Sequence, residues 1–261
     1  MKKTLLNTIP KEIPQDIQHF LSNSKIYDSS SSPTAKVCFI DKDNGYYLKT
    51  APKTTLEKEA KMTEYFHSKG LGAEVLDYIS DEKDWLLTTA VTGDDCTHEK
   101  YLAEPEKLCD AVAYELRKLH ETDFTGCPIT DRTAEYLADA EKNYRKGMYD
   151  SSIFPKDTNC PTAAEAFDIL TEGKDALKSD VLLHGDYCLP NIILNDGRLS
   201  GFIDVGCGGI GDRHIDIFWG LWSLWYNLKT DKYCGRFLDA YGRDNADREV
   251  LKIVAAAEVF G

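Results

Sequence analysis

The residues best suited to chemistry lie in one stretch, Leu182-Leu183-His184-Gly185-Asp186-Tyr187-Cys188-Leu189-Pro190-Asn191, and in its continuation to Asp204. Two short apolar runs, 192–194 and 199–203, flank Asp196-Gly197, the strongest short-range hairpin signal. With those two as the turn, residues whose numbers sum to 393 face each other. Asn191 is then expected opposite Phe202, with Asp204 two residues further along. The two side chains converge at a diagonal-neighbour distance of roughly 7–8 Å. That span suits two oxygen ligands of Mg²⁺, which keeps several waters and takes other oxygens from phosphates. Asp186, five residues before Asn191, is free to face a different ligand. A carboxylate so placed can align a substrate hydroxyl and accept its proton during phosphoryl transfer. His184 is expected to anchor the loop by hydrogen bonding.

The elements that must position this stretch begin upstream. Residues 35–40 and 46–50 read as a hairpin around Asp41-Lys42-Asp43-Asn44-Gly45, behind a serine run that includes Ser32. Such a run is by default a polar loop, although its hydroxyl and N–H groups can also meet phosphate oxygens. Lys49 stands in the second strand, where a lysine is ordinarily solvated. The next element changes that reading. Thr54-x-x-Glu57 predicts a capping box and a helix running to about Gly70. Glu59, ten positions after Lys49, can fold back onto the ammonium, a pairing that readies a lysine for nucleotide phosphates.

Residues 75–79 and 85–89 add two strands, giving a small sheet of four or five strands with one helix. The alternation stops at Ala90-Val91-Thr92-Gly93-Asp94-Asp95. We place a lobe boundary there: residues 1–91 form one lobe, with a hinge about 89–95, and 92–261 form a mainly helical second lobe. Pro105 suits the first turn of a helix ending at His120, and a histidine there is favourable for structural reasons. Further helices are expected at 134–146, at Thr162-x-x-Glu165 to Gly173, and at 215–228, 232–241 and 246–260. The aromatic residues Trp219, Trp222, Trp225 and Tyr226 recur at helical spacing, by default a core-facing stripe.

Lys and Arg number 31 against 44 Asp and Glu, a net charge of −13. This argues against a nucleic-acid or anionic-membrane partner and is compatible with a cationic ligand or simply with a soluble acidic surface. Eight cysteines carry no C-x-x-C pair and no zinc-like spacing, so free thiols in a reducing compartment are expected. Met1-Lys2-Lys3 resembles a secretory start, but Asn7, Pro10, Lys11 and Glu12 interrupt any apolar core. The longest apolar run, 217–226, is too short to span a bilayer. The expectation is a cytoplasmic protein, with nothing to indicate its oligomeric state.

His184-Gly185-Asp186-x-x-x-x-Asn191, followed by Ile203-Asp204-Val205-Gly206, resembles the catalytic and metal-binding motifs of the aminoglycoside phosphotransferase family, most closely its kanamycin-kinase or 3′ type. The resemblance covers nearly the whole chain. It implies an α+β, protein-kinase-like two-lobe fold, with a small β-rich N-lobe and a larger helical C-lobe. By the same resemblance Asp186 is the catalytic aspartate, Asn191 and Asp204 hold Mg²⁺, Lys49 contacts the α/β-phosphates of ATP or GTP, and Glu59 orients Lys49. Ser32 belongs to the nucleotide-covering loop, backbone groups at Thr89 and Val91 bind the adenine, and Asp216 is a buried structural carboxylate. The acceptor implied is a cationic aminoglycoside, with Trp222, Tyr226 and Glu258 on its side of the pocket. Departures stand there too: Cys207 occupies the place of the 3′ type's arginine, and the acidic C-terminal tail is reduced to Glu258. A kinase of another sugar or amino alcohol, or a catalytically silent nucleotide-binding relative, are the alternative readings.

Overall fold

The structure, a computed structural model, describes residues 3–6, 12–32, 34–153 and 161–261. The expectations placed on Met1, Lys2, Asn7, Pro10 and Lys11, and the eighth cysteine, Cys160, lie outside the described residues. In chain order the elements are β1 (Lys3–Leu5), α1 (Gln18–Leu21), β2 (Lys25–Ser29), β3 (Lys36–Asp41), β4 (Tyr46–Pro52), α2 (Glu57–Ser68), β5 (Val75–Ser80), β6 (Lys83–Thr89) and β7 (Asp94–Asp95). There follow α3 (Glu99–Leu102), α4 (Pro105–His120), α5 (Arg132–Arg145), α6 (Ala163–Gly173), β8 (Val181–Leu183), β9 (Ile192–Asn195), β10 (Arg198–Phe202), β11 (Gly209–Gly211), α7 (Arg213–Leu228), α8 (Cys234–Tyr241) and α9 (Arg248–Glu258). They pack as two compact units, Met1–His98 with Pro190–Gly206, and Glu99–Leu189 with Cys207–Gly261.

The first unit is built on a six-stranded antiparallel sheet of order β1-β2-β3-β4-β6-β5. It is larger than the four or five strands expected, because β1 and β2 are short, largely polar segments that carry little strand pattern. Successive side chains alternate between faces, and β6 shows the consequence: Trp85 and Leu87 join Ile17, Leu21, Ile26, Ile40 and Leu48 in one core cluster. Leu86 instead joins Ala51, Leu56 and Ala60 under α2. Leu48 belongs to the first cluster, so its neighbour Lys49 is directed to the α2 face.

Helix α2 does not open with the expected capping box. Its N-cap is Leu56, with no side-chain cap, and Thr54 lies in the left-handed region at φ 66°. The fully buried Asp84 of β6 accepts from the backbone N–H groups of Thr54 (2.9 Å) and Leu56 (2.8 Å) and from the Ser80 hydroxyl (2.7 Å). Burial disfavours its charge, yet these donors hold its carboxyl below the usual carboxylate range. The helix ends as expected, with Gly70 at φ 72° and the paired bonds Leu71 N–H to Phe66 O and Gly70 N–H to His67 O that define a Schellman stop.

The β9–β10 hairpin belongs to this unit. Its turn is the expected one, with Asp196 and Gly197 both at positive φ (49° and 76°), as a type I′ turn requires. Its register is not. Arg198 pairs Asn195 and Leu199 pairs Leu194, but a bulge follows, and Gly201 pairs Ile193 while Phe202 pairs Ile192. The bulge has a tertiary cause. Phe202 donates its N–H to Leu71 O (2.7 Å), bridges Gly72 and meets Phe66 edge-on. Gly201 is pressed so close that a Cβ would lie 3.2 Å from Gly72 Cα.

The second unit is mainly helical, as expected. Pro105 begins α4 and His120 ends it, and α6 opens with the complete Thr162–Glu165 capping box. Leu170, Ile253, Ala257 and Phe260 share a core between α6 and α9. Strands β8 and β11 pair antiparallel, Leu183 with Gly209, which brings the 184–188 loop beside Cys207. Seven described cysteines are all free thiols. No helix among the described residues is long and apolar enough to cross a membrane.

Candidate active site

In the first unit Lys49 Nζ donates to both carboxylate oxygens of Glu59 (2.9 and 2.8 Å) and to Asp204 Oδ1 (2.7 Å). The sequence pairing of Lys49 with Glu59 is therefore present, and Asp204 joins it. Burial disfavours the ammonium, but the two carboxylates outweigh burial and hold its proton more tightly than usual. Burial, reinforced by the Asp204 charge, keeps the Glu59 carboxyl above its usual range despite Lys49. Asp204 sits at φ 60°, outside the ordinary strand region. Gly206 lets the same segment pass Glu59, since a Cβ there would stand 3.2 Å from Glu59 Cβ.

The bulge places Asn191 one residue earlier in register than expected. Ile203 N–H donates to Asn191 O (3.0 Å), so Asp204 lies one residue beyond the pair rather than two. Asn191 is buried and Asp204 exposed. One carboxamide and one carboxylate are hard oxygen donors of the kind Mg²⁺ takes when phosphates complete its shell, so the two residues present fit that ion.

Lys49, Glu59 and Asp204 line an open cavity of about 760 Å³ within this unit. Thr89 and Val91 line it as well, as do Val37 and Leu86. From the serine run it is Ser30, at φ 48°, that lines the cavity. Ser32 instead closes the β2–β3 turn, its Oγ accepting from Ala35 N–H (3.0 Å) and its N–H donating to Ala35 O (2.8 Å). Phe66, Gly72 and Phe202 complete the cavity's inner wall. Sequence reasoning missed these three, and the only available signals were the helix-stop glycines and the apolar parity of β10.

In the second unit the loop after β8 is tied down from beneath. Fully buried Asp216 accepts from His184 N–H (2.8 Å) and Gly185 N–H (2.7 Å) and faces His120 Nε2 at 3.2 Å. His120 Nδ1 meets Tyr241 Oη at 2.8 Å, so this histidine is a buried structural partner. His184 Nδ1 accepts from Asp186 N–H (3.2 Å), the anchoring role expected of it. Tyr187 is fully buried and its hydroxyl donates to Val112 O (2.8 Å). Gly185 has no substitute here: it lies at φ 83°, and a Cβ would fall 1.9 Å from Cys207 O. The same carbonyl accepts from Arg132 Nε (2.9 Å). Asp186 is thus carried by a loop in which the His184 and Gly185 N–H groups are held by the buried Asp216 carboxylate.

The residues assigned to the acceptor are placed differently from one another. Glu258 is buried, and its Oε1 accepts from Tyr136 Oη (2.9 Å) and Trp219 Nε1 (3.1 Å). Burial pushes its carboxyl up to about 7, against the pull of those donors. Trp222 donates Nε1–H to Ile153 O (2.9 Å) and stacks on Tyr226, ring centroids 4.9 Å apart and 9° from parallel. Tyr226 is half exposed, with Lys229 Nζ 4.0 Å above its ring.

The profile of the phosphotransferase enzyme family matches residues 31–253. The chain is 49% identical over 253 residues to a Lactococcus lactis protein named probable aminoglycoside 3′-phosphotransferase, covering 96% of each chain. It is 31% identical to an aminoglycoside 3′-phosphotransferase of Niallia circulans, covering 82% of this chain and 83% of that one. Among solved structures, an aminoglycoside-3′-phosphotransferase of type VIII superposes with a TM-score of 0.73 at 24% identity, covering 90% of this chain and 91% of that one, a likeness of fold.

Proposed function

We propose that this chain, which belongs to the phosphotransferase enzyme family, transfers the γ-phosphoryl group of Mg·ATP to the 3′-hydroxyl of an aminoglycoside and so confers resistance to it. The observation that carries the reading is the Lys49–Glu59–Asp204 constellation lining a cavity with Thr89 and Val91. In this reading the Met1–His98 and Pro190–Gly206 unit is the nucleotide side, and the other unit supplies Asp186 and the acceptor pocket. Glu59 orients Lys49, whose ammonium takes the α/β-phosphates in exchange for Asp204. Backbone groups at Thr89 and Val91 receive the adenine. Asn191 and Asp204 would hold Mg²⁺, which would offset the negative charge of the phosphates during transfer.

Asp186 aligns the acceptor hydroxyl and takes its proton as the new O–P bond forms and the bond to ADP breaks. The net charge of −13 favours approach of a polycationic aminosugar, and the stacked Trp222–Tyr226 pair offers a face to a sugar ring. A second reading has a specific observation behind it. Glu258, the remaining acid of the C-terminal segment, is buried against Tyr136 and Trp219, which suits a less highly charged sugar or amino alcohol. A coupled ADP-release assay over aminoglycosides and small alcohols separates the two. Turnover confined to aminoglycosides with a free 3′-hydroxyl supports the first, and Asp186→Asn should lower kcat by about 10²–10⁴-fold. Retention of most activity in that variant would remove Asp186 from the mechanism.

A further inference from the structure

The loop that carries Asp186 is held through its N–H groups by Asp216, and it meets a second fixed group at Cys207. An ideal Cβ on Gly185 would fall 1.9 Å from Cys207 O and 2.3 Å from its carbonyl carbon. The Gly185 Cα–H bond that a side chain would replace is therefore aimed at this oxygen. The side chain that holds the oxygen is Arg132, the first residue of α5, whose Nε donates to it at 2.9 Å. This is a cation kept largely out of water, with its side chain only 13% exposed.

The start of α5 is itself fixed to the strands on either side of that loop. Asp131, its N-cap, accepts from Ala134 N–H (3.1 Å) and from the Ser179 hydroxyl (2.9 Å), just ahead of β8. The Thr133 hydroxyl donates to Lys178 O (3.0 Å) and accepts from Asp212 N–H (2.9 Å), just after β11. Strand β11 passes this corner on two glycines, since Cβ atoms at Gly209 and Gly211 would stand 3.1 and 3.4 Å from Arg132 Cβ. A guanidinium has five N–H donors in a rigid plane. Nε–H goes to Cys207 O, while Nη1 lies 3.6 Å from Glu135 Oε2 and 4.0 Å from Asp139 Oδ2, one and two turns along the same helix. Those two carboxylates steady the plane, and a bond from an ionised donor is roughly twice as strong as a neutral one.

We propose that Arg132 is a positioning residue for phosphoryl transfer: its Nε–H holds the Cys207 carbonyl against Gly185 and so fixes the loop that presents Asp186 to the acceptor hydroxyl. The proposal rests on the reading of Asp186 given above. The bond comes from the middle of the side chain, which makes it separable from the charge at the tip. Counting from Cβ, the fourth atom is the Nε–H in Arg, an amide N–H donor in Gln, a methyl group in Met and a methylene group in Lys. Gln at this position keeps the donor and loses the charge, Lys keeps the charge and loses the donor, and Met loses both.

The test is steady-state kinetics of the full chain with Mg·ATP and an aminoglycoside bearing a free 3′-hydroxyl, for Arg132→Met, Arg132→Lys, Arg132→Gln and Asp186→Asn. Arg132→Met and Arg132→Lys should each lower kcat by roughly tenfold, the scale of a small misplacement of a reacting group, with the KM for ATP unchanged. Arg132→Gln should recover most of that loss. A cation that only stabilises the fold predicts the other order, with Arg132→Lys best and Arg132→Gln as poor as Arg132→Met, and that order in kcat would overturn the proposal. Normal kcat in Arg132→Lys with Asp186→Asn inactive would also overturn it and leave the role of Asp186 standing. Activity retained in Asp186→Asn would instead defeat the underlying reading. Should Arg132→Met fail to fold, as judged by its melting transition, Arg132→Lys and Arg132→Gln decide alone: equal kcat in the two would contradict the proposal.

Discussion

Helices α2 and α6 begin from the same Thr-x-x-Glu signature and are capped by different means. At α6, Thr162 Oγ1 accepts from Glu165 N–H (3.3 Å) and Glu165 Oε2 accepts from Thr162 N–H (2.8 Å), a closed local box. At α2, Thr54 is left-handed and the donors are collected by Asp84, 30 and 28 residues further along the chain. The helices carry different burdens. Helix α6 packs its apolar face on α9 and presents no group to the chemistry. Helix α2 carries Glu59, whose carboxyl must meet Lys49 on β4 within hydrogen-bonding distance. A carboxylate rooted in β6, the strand hydrogen-bonded to β4, fixes the start of α2 to the same sheet that carries Lys49. A local cap ends a helix. A cap from the sheet also sets where the helix sits, and a site needs the second kind.

The sharpest way to break this contrast is Asp84→Ala. It leaves two N–H groups and a serine hydroxyl without their buried acceptor, and should destabilise the protein by about 3 kcal/mol in denaturant titration. Because α2 carries Glu59, it should also raise the KM for ATP severalfold; an unchanged KM would detach the cap from the site. The two buried carboxyls Asp84 and Glu258 should then show opposite pH behaviour. Asp84 is held below its unfolded value, so the unfolded state binds more protons in acid, and this stability is lost as pH falls below about 4. Glu258 titrates at about 7 when folded, above the unfolded value of about 4.3. The folded state binds the extra proton between those values, so its contribution is fully present at low pH and declines as pH rises toward 7. Glu258→Gln, which keeps a carbonyl acceptor, should flatten that upper slope in melting curves from pH 5 to 8.

Smaller effects follow at the two threonines. Thr162→Ala should cost about 1 kcal/mol and leave kinetic constants untouched, as a purely local cap requires. Thr54→Gly should instead stabilise by about 0.5–1 kcal/mol, since a β-branched residue is strained at positive φ and glycine is not. Destabilisation of the same size would mean that the Thr54 side chain caps after all.

Much of the site was legible because its residues are bound by short spacings. Lys49 with Glu59, and the Asp196-Gly197 turn, are local patterns, and the structure shows both. Pro105 and His120 marked both ends of α4, and Thr162 the start of α6, for the same reason. What was not legible depended on contacts distant in sequence. The hairpin register slips by one residue because Phe202 and Gly201 meet Leu71, Gly72 and Val91, and no feature of residues 192–203 encodes that meeting. Asp84 reads as a turn residue until the strand pairing shows it beneath Leu56. Buried Ser223 lies in an aromatic run, and its bond from Leu189 N–H depends on a partner distant in sequence.

The central claim is phosphoryl transfer from Mg·ATP to a 3′-hydroxyl, and matched acceptors test it most directly. Purified protein should release ADP with an aminoglycoside carrying that hydroxyl, and the product should bear its phosphate on the 3′-oxygen by phosphorus NMR. The 3′-deoxy analogue should give no turnover above the ATPase background. Equal turnover of the two compounds, or none with the 3′-hydroxyl acceptor under saturating Mg·ATP, would contradict the account.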